Sequence, residues 1–385
     1  MMSKPRVGIY GARHALTILR RGIIGRCADI TAVSDSRAEL LRSVDAELKA
    51  YGAVGYPEYG TFIGSGLDAV IIADGHGKCS SLAIKALRHS LHVLCYPDII
   101  LTLDEAFLLE RAVRESGKTF ALGESFCYRR AVLTAREMYR NGDIGRLLAA
   151  DSFFAGRGVG GGKASGRDAD IPSTFMCTKT LGPMLYVTGA RGLRVIGAET
   201  PRASFTQEKG FRRGSAGSEL IEFDGGAIGR SFHGELACPA AFTLKLFGEQ
   251  GSIEIVNDRL LHHDYSTGRR ISSDLRKNVV RFPGARSYAD DLESAEASMI
   301  ACFIGKISGD VDSAAYSIDI WRSLDMTIPG ILAFRSILDG GRAFILPDMR
   351  TDDGREFCRG DRFTTDQLAE AKYRLPPNKN RGGWR

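Results

Sequence analysis

The turn Gly11-Ala12-Arg13-His14 ends a β-forming run, Arg6–Tyr10, and opens a helical stretch that reaches Arg21. A strand that turns through glycine into a helix aims free N–H groups and the positive helix end at one spot, which suits a phosphate. A dinucleotide-binding turn asks for G-x-G-x-x-G: one glycine for the turn, one for pyrophosphate approach, one for helix packing. Gly11 fills the first place, while Arg13 and Leu16 stand in the second and third. The Arg13 guanidinium either offers its charge to a pyrophosphate or blocks it, and a turn that binds no nucleotide is the plain alternative. A second strand, Asp29–Ser34, leads into Asp35, which follows Gly11 by 24 residues. An acidic side chain at that distance holds the adenosine ribose hydroxyls and disfavours a 2′-phosphate, so NAD is expected over NADP. Arg37 pulls the other way, since an arginine accepts that phosphate. Asp35 can also be read as the cap of a helix over 37–50.

These groups need a sheet edge to hold them, and Asp68–Thr102 supplies it. Asp68–Ile72 is a short apolar run with β-branched residues, suited to a buried strand. Ala73–Lys78 is small, polar and glycine-bearing, and breaks the pattern. Cys79–His89 places Leu82, Ala83, Ala86 and Leu87 on one helical face, and Leu91–Cys95 is a second apolar strand. Strand, helix and strand over this length make a βαβ crossover. Its strand ends, near Ala73–Asp74 and Cys95–Tyr96, lie side by side, where open α/β sheets take ligands.

This stretch resembles the Gfo/Idh/MocA family of NAD(P)-dependent oxidoreductases. The family segment reads roughly "DAVIIATPxxxH…AlxAGkHVLcEKPla", and "HVLC" stands here as His92–Cys95. Further on, Glu124, Tyr128 and Gly142-Asp143-Ile144-Gly145 match the "E-N-x-x-Y-x-P" and "G-x-I-G" signatures of the family's crossover. The family's Glu-Lys-Pro triplet, whose lysine is its usual acid/base, is replaced by Tyr96, Pro97 and Asp98. The family's second-domain pattern "T-H-S-L-G-P-L-L-Y-x-T-G" aligns its histidine with Lys179.

The resemblance, which spans roughly residues 5 to 350, implies an α/β chain of two domains. These are an N-terminal Rossmann domain over 1–123 and a C-terminal α/β domain over 124–348 with a large, mostly antiparallel open sheet; a tail over 349–385 follows. In the second domain Glu219–Phe223 and Ala227–His233 flank a hairpin turn, and Ala241–Phe247 and Ser252–Val256 add two strands. Leu292–Ile307 and Ser317–Leu338 read as helices, and Pro376-Pro377 argues against further helix in the tail. The resemblance also implies that the Gly11-Ala12-Arg13-His14 turn, Asp35, Arg37, Ala73, Asp74, Pro97 and Glu124 line the dinucleotide.

Hydride transfer from a carbinol needs a proton acceptor beside it. With no lysine at 96–98, Lys179 is the expected acid/base, because a lysine desolvated in a closed site titrates in a useful range. Tyr96 or Tyr186 would be its hydroxyl partner. Binding a substrate anion, or a place on a solvated helix face, is the alternative for Lys179. His76 is a candidate helper or an ordinary loop histidine, and Cys79 fills the family's later histidine place. The glycine-rich 157–170 loop, with Arg157, Lys163 and Arg167, fails the P-loop pattern and reads as a mobile rim of the substrate site. His262-His263-Asp264 reads as a solvated turn, since no second ligand group stands at zinc spacing.

Composition narrows the classes. At 385 residues two domains each have ample core. Hydrophobic residues are 44% and charged 25%, as in soluble globular proteins, and no apolar run approaches the roughly 20 residues of a membrane span. The eight cysteines are scattered, with no CxxC pair. That favours reduced thiols in a cytoplasm, and the N-terminus leads straight into a strand with no signal-peptide core. A net charge of +6 suits an anionic cofactor, and no aromatic-plus-basic motif points to nucleic acid. The expected function is NAD(P)-dependent oxidation or reduction of a sugar, cyclitol or glycoside by a homo-oligomer assembled through the C-terminal sheet. The alternative is a non-catalytic family member that senses a dinucleotide or sits silently beside an active paralogue.

Overall fold

The computed structural model describes residues 4–25, 27–75, 77–157, 171–201, 214–275 and 291–363. Within them the chain forms two compact units, interleaved in sequence. Unit 1 takes residues up to 100, then 105–130 and 278–324; unit 2 takes 101–104, 131–277 and the chain from 325 onward. The described residues 291–324 thus group with the N-terminal strands.

Unit 1 is built on six strands, β1 (Arg6–Tyr10), β2 (Asp29–Ser34), β3 (Val54–Tyr56), β4 (Ala69–Ile72), β5 (His92–Cys95) and β6 (Phe120–Leu122). Their order is β3-β2-β1-β4-β5-β6, and every pairing is parallel. Parallel strands are covered on both faces, so they read as unbroken apolar runs. All four residues of β4 are fully buried, as are Val7, Ile9, Val93 and Cys95. Helices α1 (Ala12–Arg20), α2 (Ala38–Ala50), α3 (Tyr59–Ile63) and α4 (Cys79–Arg88) make the crossovers, and α5 (Leu103–Ser116) connects β5 to β6. The chain order reverses between β1 and β4, which makes that pair of strand ends the switch point of a Rossmann sheet.

After β6 and a 3-10 turn, Ser125–Tyr128, comes α6 (Arg130–Arg140); α7 (Leu181–Thr188) follows in unit 2. Three more helices are α8 (Asp291–Ile307), α9 (Val311–Tyr316) and α10 (Ile320–Leu338). In α8, Ala295, Ala297, Met299, Ile300, Cys302, Phe303 and Ile304 are buried. Unit 1 ties this segment down: Leu122 N–H donates to the Ile318 carbonyl at 3.0 Å, and the Tyr128 hydroxyl to that of Tyr316 at 2.7 Å.

Unit 2 carries a nine-stranded sheet of β7 (Leu147–Gly156), β8 (Gly192–Glu199), β9 (Ala216–Phe223), β10 (Ile228–Glu235), β11 (Ala241–Gly248), β12 (Gly251–Val256), β13 (Arg259–Asp264), β14 (Arg270–Asp274) and β15 (Phe344–Ile345). The order is β14-β13-β12-β11-β7-β10-β9-β8-β15. Only β7 and β10 pair parallel. One face alternates into the core through Ile221, Phe223, Leu244, Leu246, Ile253 and Ile255. Helix α10 lies close on this sheet because Gly197 has no side chain: a Cβ there would sit 2.1 Å from the Ala333 carbonyl oxygen.

Two readings of the sequence are corrected. His262, His263 and Asp264 lie on β13 and not in a turn. The stretch after Asp348 holds a helix, α11 (Asp352–Cys358), capped by the Thr351 hydroxyl and started by Asp352 and Asp353 beside the positive helix end. Pro376 and Pro377, and the 158–170 part of the glycine-rich loop, lie outside the described residues. Among the described residues no helix is long and apolar enough to cross a membrane.

Candidate functional site

At the carboxyl edge of the unit 1 sheet, Gly11 closes β1 with φ 118°, a conformation that a side chain disfavours. A Cβ on Gly11 would lie 2.9 Å from the Asp74 Cβ, so the turn after β1 and the turn after β4 touch only because the residue is glycine. Gly11 N–H donates to the Ser34 carbonyl at 2.8 Å and Ala73 N–H to that of Tyr10 at 2.9 Å, which brings the ends of β2, β1 and β4 together. Ala12 is buried at the start of α1, and Arg13 is exposed beside it.

Asp35, 2% exposed, sits under this turn. Its Oδ2 accepts the Ala12 N–H at 3.0 Å and Arg37 Nη2 at 3.2 Å; its Oδ1 accepts the Arg37 N–H at 2.9 Å and Arg37 Nε at 3.0 Å. Burial alone would raise its pKa, but these donors and the guanidinium charge hold it below the ordinary carboxylate range. A carboxylate offers about four lone-pair sites, and all four have a donor here. Arg37 also bonds Asp74 at 2.5 Å, so one guanidinium joins two carboxylates with a net charge of minus one. The hydrogen bond from Arg37 to Asp35 is the largest of the effects raising the guanidinium pKa. Asp35 thus acts on helix entry and on Arg37 together, and a ribose hydroxyl reaches it only by displacing Arg37.

On the β5 side of the edge, three residues converge that the sequence did not bring together. Tyr96 follows β5 directly, His14 lies in the first turn of α1, and Glu296 comes from α8. The Tyr96 hydroxyl donates to Glu296 Oε1 at 2.5 Å, and His14 Nε2 lies 2.6 Å from the same oxygen. The two rings meet edge-on with centroids 4.8 Å apart. Burial raises the Glu296 pKa, yet the His14 and Tyr96 hydrogen bonds and the His14 and Arg21 charges outweigh it, leaving the carboxyl below its usual range. Burial first, and then Glu296, push the Tyr96 phenol far above its ordinary value, so it stays a donor. Pro97 is half-buried, and Asp98 takes the left-handed conformation at φ 66°. The sequence marks Glu296 only weakly, as one of three acids in the first turns of α8, and a largely buried acid demands partners.

Unit 2 holds Lys179 and Tyr186. Lys179 ends a 3-10 turn, Ser173–Lys179; it is half-buried, with Nζ 5.5 Å from the centre of the Phe154 ring. Tyr186 is 1% exposed inside α7, its ring beneath the Arg136 guanidinium at 4.5 Å and its hydroxyl 3.5 Å from Arg136 Nη1. That packing places Tyr186 in the core of unit 2. Next to Lys179 a fully buried polar chain appears: Thr180 Oγ1 lies 2.7 Å from Ser231 Oγ, and Ser231 donates to Glu219 at 2.6 Å. Glu219 also meets His233 Nε2, 3.0 Å from each carboxylate oxygen. Strict alternation along β10 is the signal for this chain, since it turns Ser231 and His233 to the buried face. Glu124 is 1% exposed and accepts the Phe126 N–H at 3.1 Å, capping the 3-10 turn that follows it. His76 lies outside the described residues. Among the described residues no group of three His, Cys, Asp or Glu is placed to hold a metal.

No family model matches the chain. It is similar to a 2,7-anhydro-N-acetylneuraminate hydratase of Escherichia coli (strain K12), 30% identical over 83 residues; the match spans 22% of this chain and 22% of that protein. Among solved structures, an inositol dehydrogenase homologue of Azotobacter vinelandii complexed with NADH and myo-inositol superposes with TM-score 0.74 at 17% identity, over 90% of this chain and 98% of that one. An oxidoreductase of Sinorhizobium meliloti gives TM-score 0.72 at 19% identity, over 89% and 100%. An oxidoreductase of Agrobacterium radiobacter in complex with NAD+, L-tartaric acid and magnesium gives 0.70 at 14%, over 89% and 98%. At these identities the likeness is one of fold.

Proposed function

We propose that the chain is an NAD(P)-dependent oxidoreductase of the Gfo/Idh/MocA type, acting on a hydroxyl or ketone of a sugar, cyclitol or glycoside. The observation that carries this is the Gly11 turn at the β1/β4 switch point, whose φ of 118° and 2.9 Å approach to the Asp74 Cβ leave no room for a side chain. The turn suits a pyrophosphate, with the Arg13 side chain and the N–H groups of α1 that follow Ala12 as its partners. Asp35 and Arg37 face the adenosine ribose, while Ala73, Asp74 and Pro97 flank the nicotinamide half and Glu124 shapes the turn after β6. When bound, the dinucleotide exchanges a hydride with the carbinol carbon. The solved neighbours named with NADH, NAD+, myo-inositol and tartrate support a small polyhydroxylated substrate.

Lys179 is the unit 2 candidate for binding or deprotonating that substrate. The outer face of the nine-stranded sheet supports self-association. There Leu220 is 48% and Ile228 54% exposed, Phe153 and Phe232 stack at 5.4 Å, and the ion pairs Arg194–Glu222, Arg230–Asp151 and Lys245–Glu254 supply both charge signs. We place the protein in the cytoplasm as a homo-oligomer, which light scattering on the purified chain would check.

A second reading has its own observation. Position 97 is proline where the family has its lysine, and Asp35 is saturated by protein donors. The first favours a non-catalytic member that senses a dinucleotide, and the second lowers the affinity expected for one. Calorimetric titration with NADH and NADPH, followed by a polyol, cyclitol and glycoside panel read by reduced cofactor, separates the two. Binding with turnover establishes the enzyme, binding without turnover the sensor, and no binding refutes both.

A further inference from the structure

On the β5 side of the unit 1 sheet edge a buried carboxylate serves a more exposed imidazole. The Glu296 side chain is 12% exposed and the His14 side chain 34%. An ionised carboxylate only accepts hydrogen bonds, so the proton in the 2.6 Å contact belongs to His14 Nε2. A neutral imidazole donates from one nitrogen and accepts at the other, which leaves the lone pair on Nδ1. Among the described residues Nδ1 has no hydrogen-bond partner. A carboxylate that fixes the tautomer and turns the far nitrogen into a base is the arrangement of a nucleophile-activating triad. Tyr96 adds a second constraint, donating to the same Glu296 oxygen at 2.5 Å while its ring meets the imidazole edge-on.

Place matters as much as geometry. His14 follows Gly11 by three residues and Tyr96 follows β5 directly, so both stand over the strand ends where open α/β sheets take ligands. The groups facing the ring are Glu296 from α8 and Tyr96 after β5. Arg21, just after α1, acts on Glu296 by its charge and pairs with Glu293 at 2.9 Å.

We infer that His14, oriented by Glu296 and Tyr96, is the general base for the substrate carbinol, the task for which positions 96–98 offer no lysine. The assignment rests on the oxidoreductase reading. The carbinol O–H bond breaks and its proton bonds to Nδ1. The electron pair of the carbinol C–H bond leaves with that hydrogen to an oxidised nicotinamide dinucleotide, and the carbon–oxygen bond becomes double. The imidazolium is held by Glu296 and returns its proton to water through the exposed part of the ring; in reduction the same proton goes to the carbonyl oxygen.

Two measurements on the full chain test this. The first needs no ligand: long-range proton–nitrogen correlation of the histidine rings in ¹⁵N-labelled protein, with His14→Gln to assign the signal. The expected result, read at a pH where the ring is uncharged, is an Nε2–H form of His14 that changes in Glu296→Gln, whose amide can donate. An Nδ1–H form, or a pattern indifferent to Glu296→Gln, overturns the proposal. The second is turnover on the polyol panel. His14→Gln is expected to lower kcat by roughly 10²–10⁴, and imidazole in the buffer restores part of the rate of His14→Ala. A purely structural histidine would show no such rescue, and unchanged turnover in His14→Gln overturns the assignment. If the wild-type protein oxidises nothing on the panel, the oxidoreductase reading falls, and the ring measurement by itself decides whether His14 is an oriented base.

Discussion

Replacing Arg37 by alanine tests the adenosine half of the site most directly. In the folded chain Arg37 supplies three of the four donors on Asp35, two of them from its guanidinium, and it bridges to Asp74. The Arg37 side chain is 45% exposed, so its ion pairs are screened and worth about 0–1 kcal/mol. That is the amount a ribose must overcome to reach Asp35 in the native protein. Arg37→Ala leaves the backbone donors of Ala12 and Arg37 in place and frees two acceptor sites. NADH should therefore bind about 2–5-fold more tightly. NADPH should move the other way, because its 2′-phosphate loses a guanidinium partner; a hydrogen bond to a charged group is worth about 1.5–3 kcal/mol, or roughly 10–150-fold. Calorimetric titration of both dinucleotides against both proteins measures the change. Equal weakening of NADH and NADPH would refute the reasoning, since it would mean that Arg37 shapes the turn and does not compete with the ribose.

Three other outcomes follow from the same geometry. Asp35→Ala should narrow the preference for NADH over NADPH by roughly 1–2 kcal/mol. It should also lower thermal stability by about 0.5–2 kcal/mol through the lost cap on Ala12 N–H, as read by calorimetric melting. Lys179→Ala should leave dinucleotide affinity intact and raise KM for a bound polyol. A fall in kcat of roughly 10²–10⁴ at unchanged KM would instead make Lys179 the proton carrier, and Lys179→Arg would then fail nearly as badly. For Glu296 the folded pKa lies below the unfolded one, so its ionised form adds stability at neutral pH, and this is lost as pH falls through the folded pKa. Denaturant titrations from pH 7 down past the ordinary carboxylate range near pH 4 should show a steeper loss in wild type than in Glu296→Gln.

The strands of unit 1 were readable because parallel strands buried on both faces leave unbroken apolar runs, as in Ala69–Ile72 and His92–Cys95. The hairpin of β9 and β10 was readable because Asp224-Gly225-Gly226 separates two alternating segments. What the sequence hid was anything made by distance along the chain. His14 and Glu296 are 282 residues apart, and no local pattern marks one as the partner of the other. The burial of Tyr186 was hidden in a different way: α7 is apolar on all sides, so periodicity could not assign its tyrosine to an inner or an outer face.

The same distance explains how the roles in the site divide. A motif such as G-x-G-x-x-G encodes a backbone shape, and one glycine at Gly11 preserves that shape even with Arg13 and Leu16 beside it, because the close approach there is to Asp74 and falls on the first position only. A proton acceptor has no such local requirement. It needs an ionisable side chain near the strand ends and a charge to fix its protonation, and either can arrive from any element that packs there. Position 97 can therefore lose a lysine without emptying the site of acid–base groups, provided a helix from elsewhere in the chain delivers a carboxylate to a residue already at the edge. Here α8 does so, and the Tyr96 that replaces the first residue of the missing triplet is one of the two groups Glu296 holds.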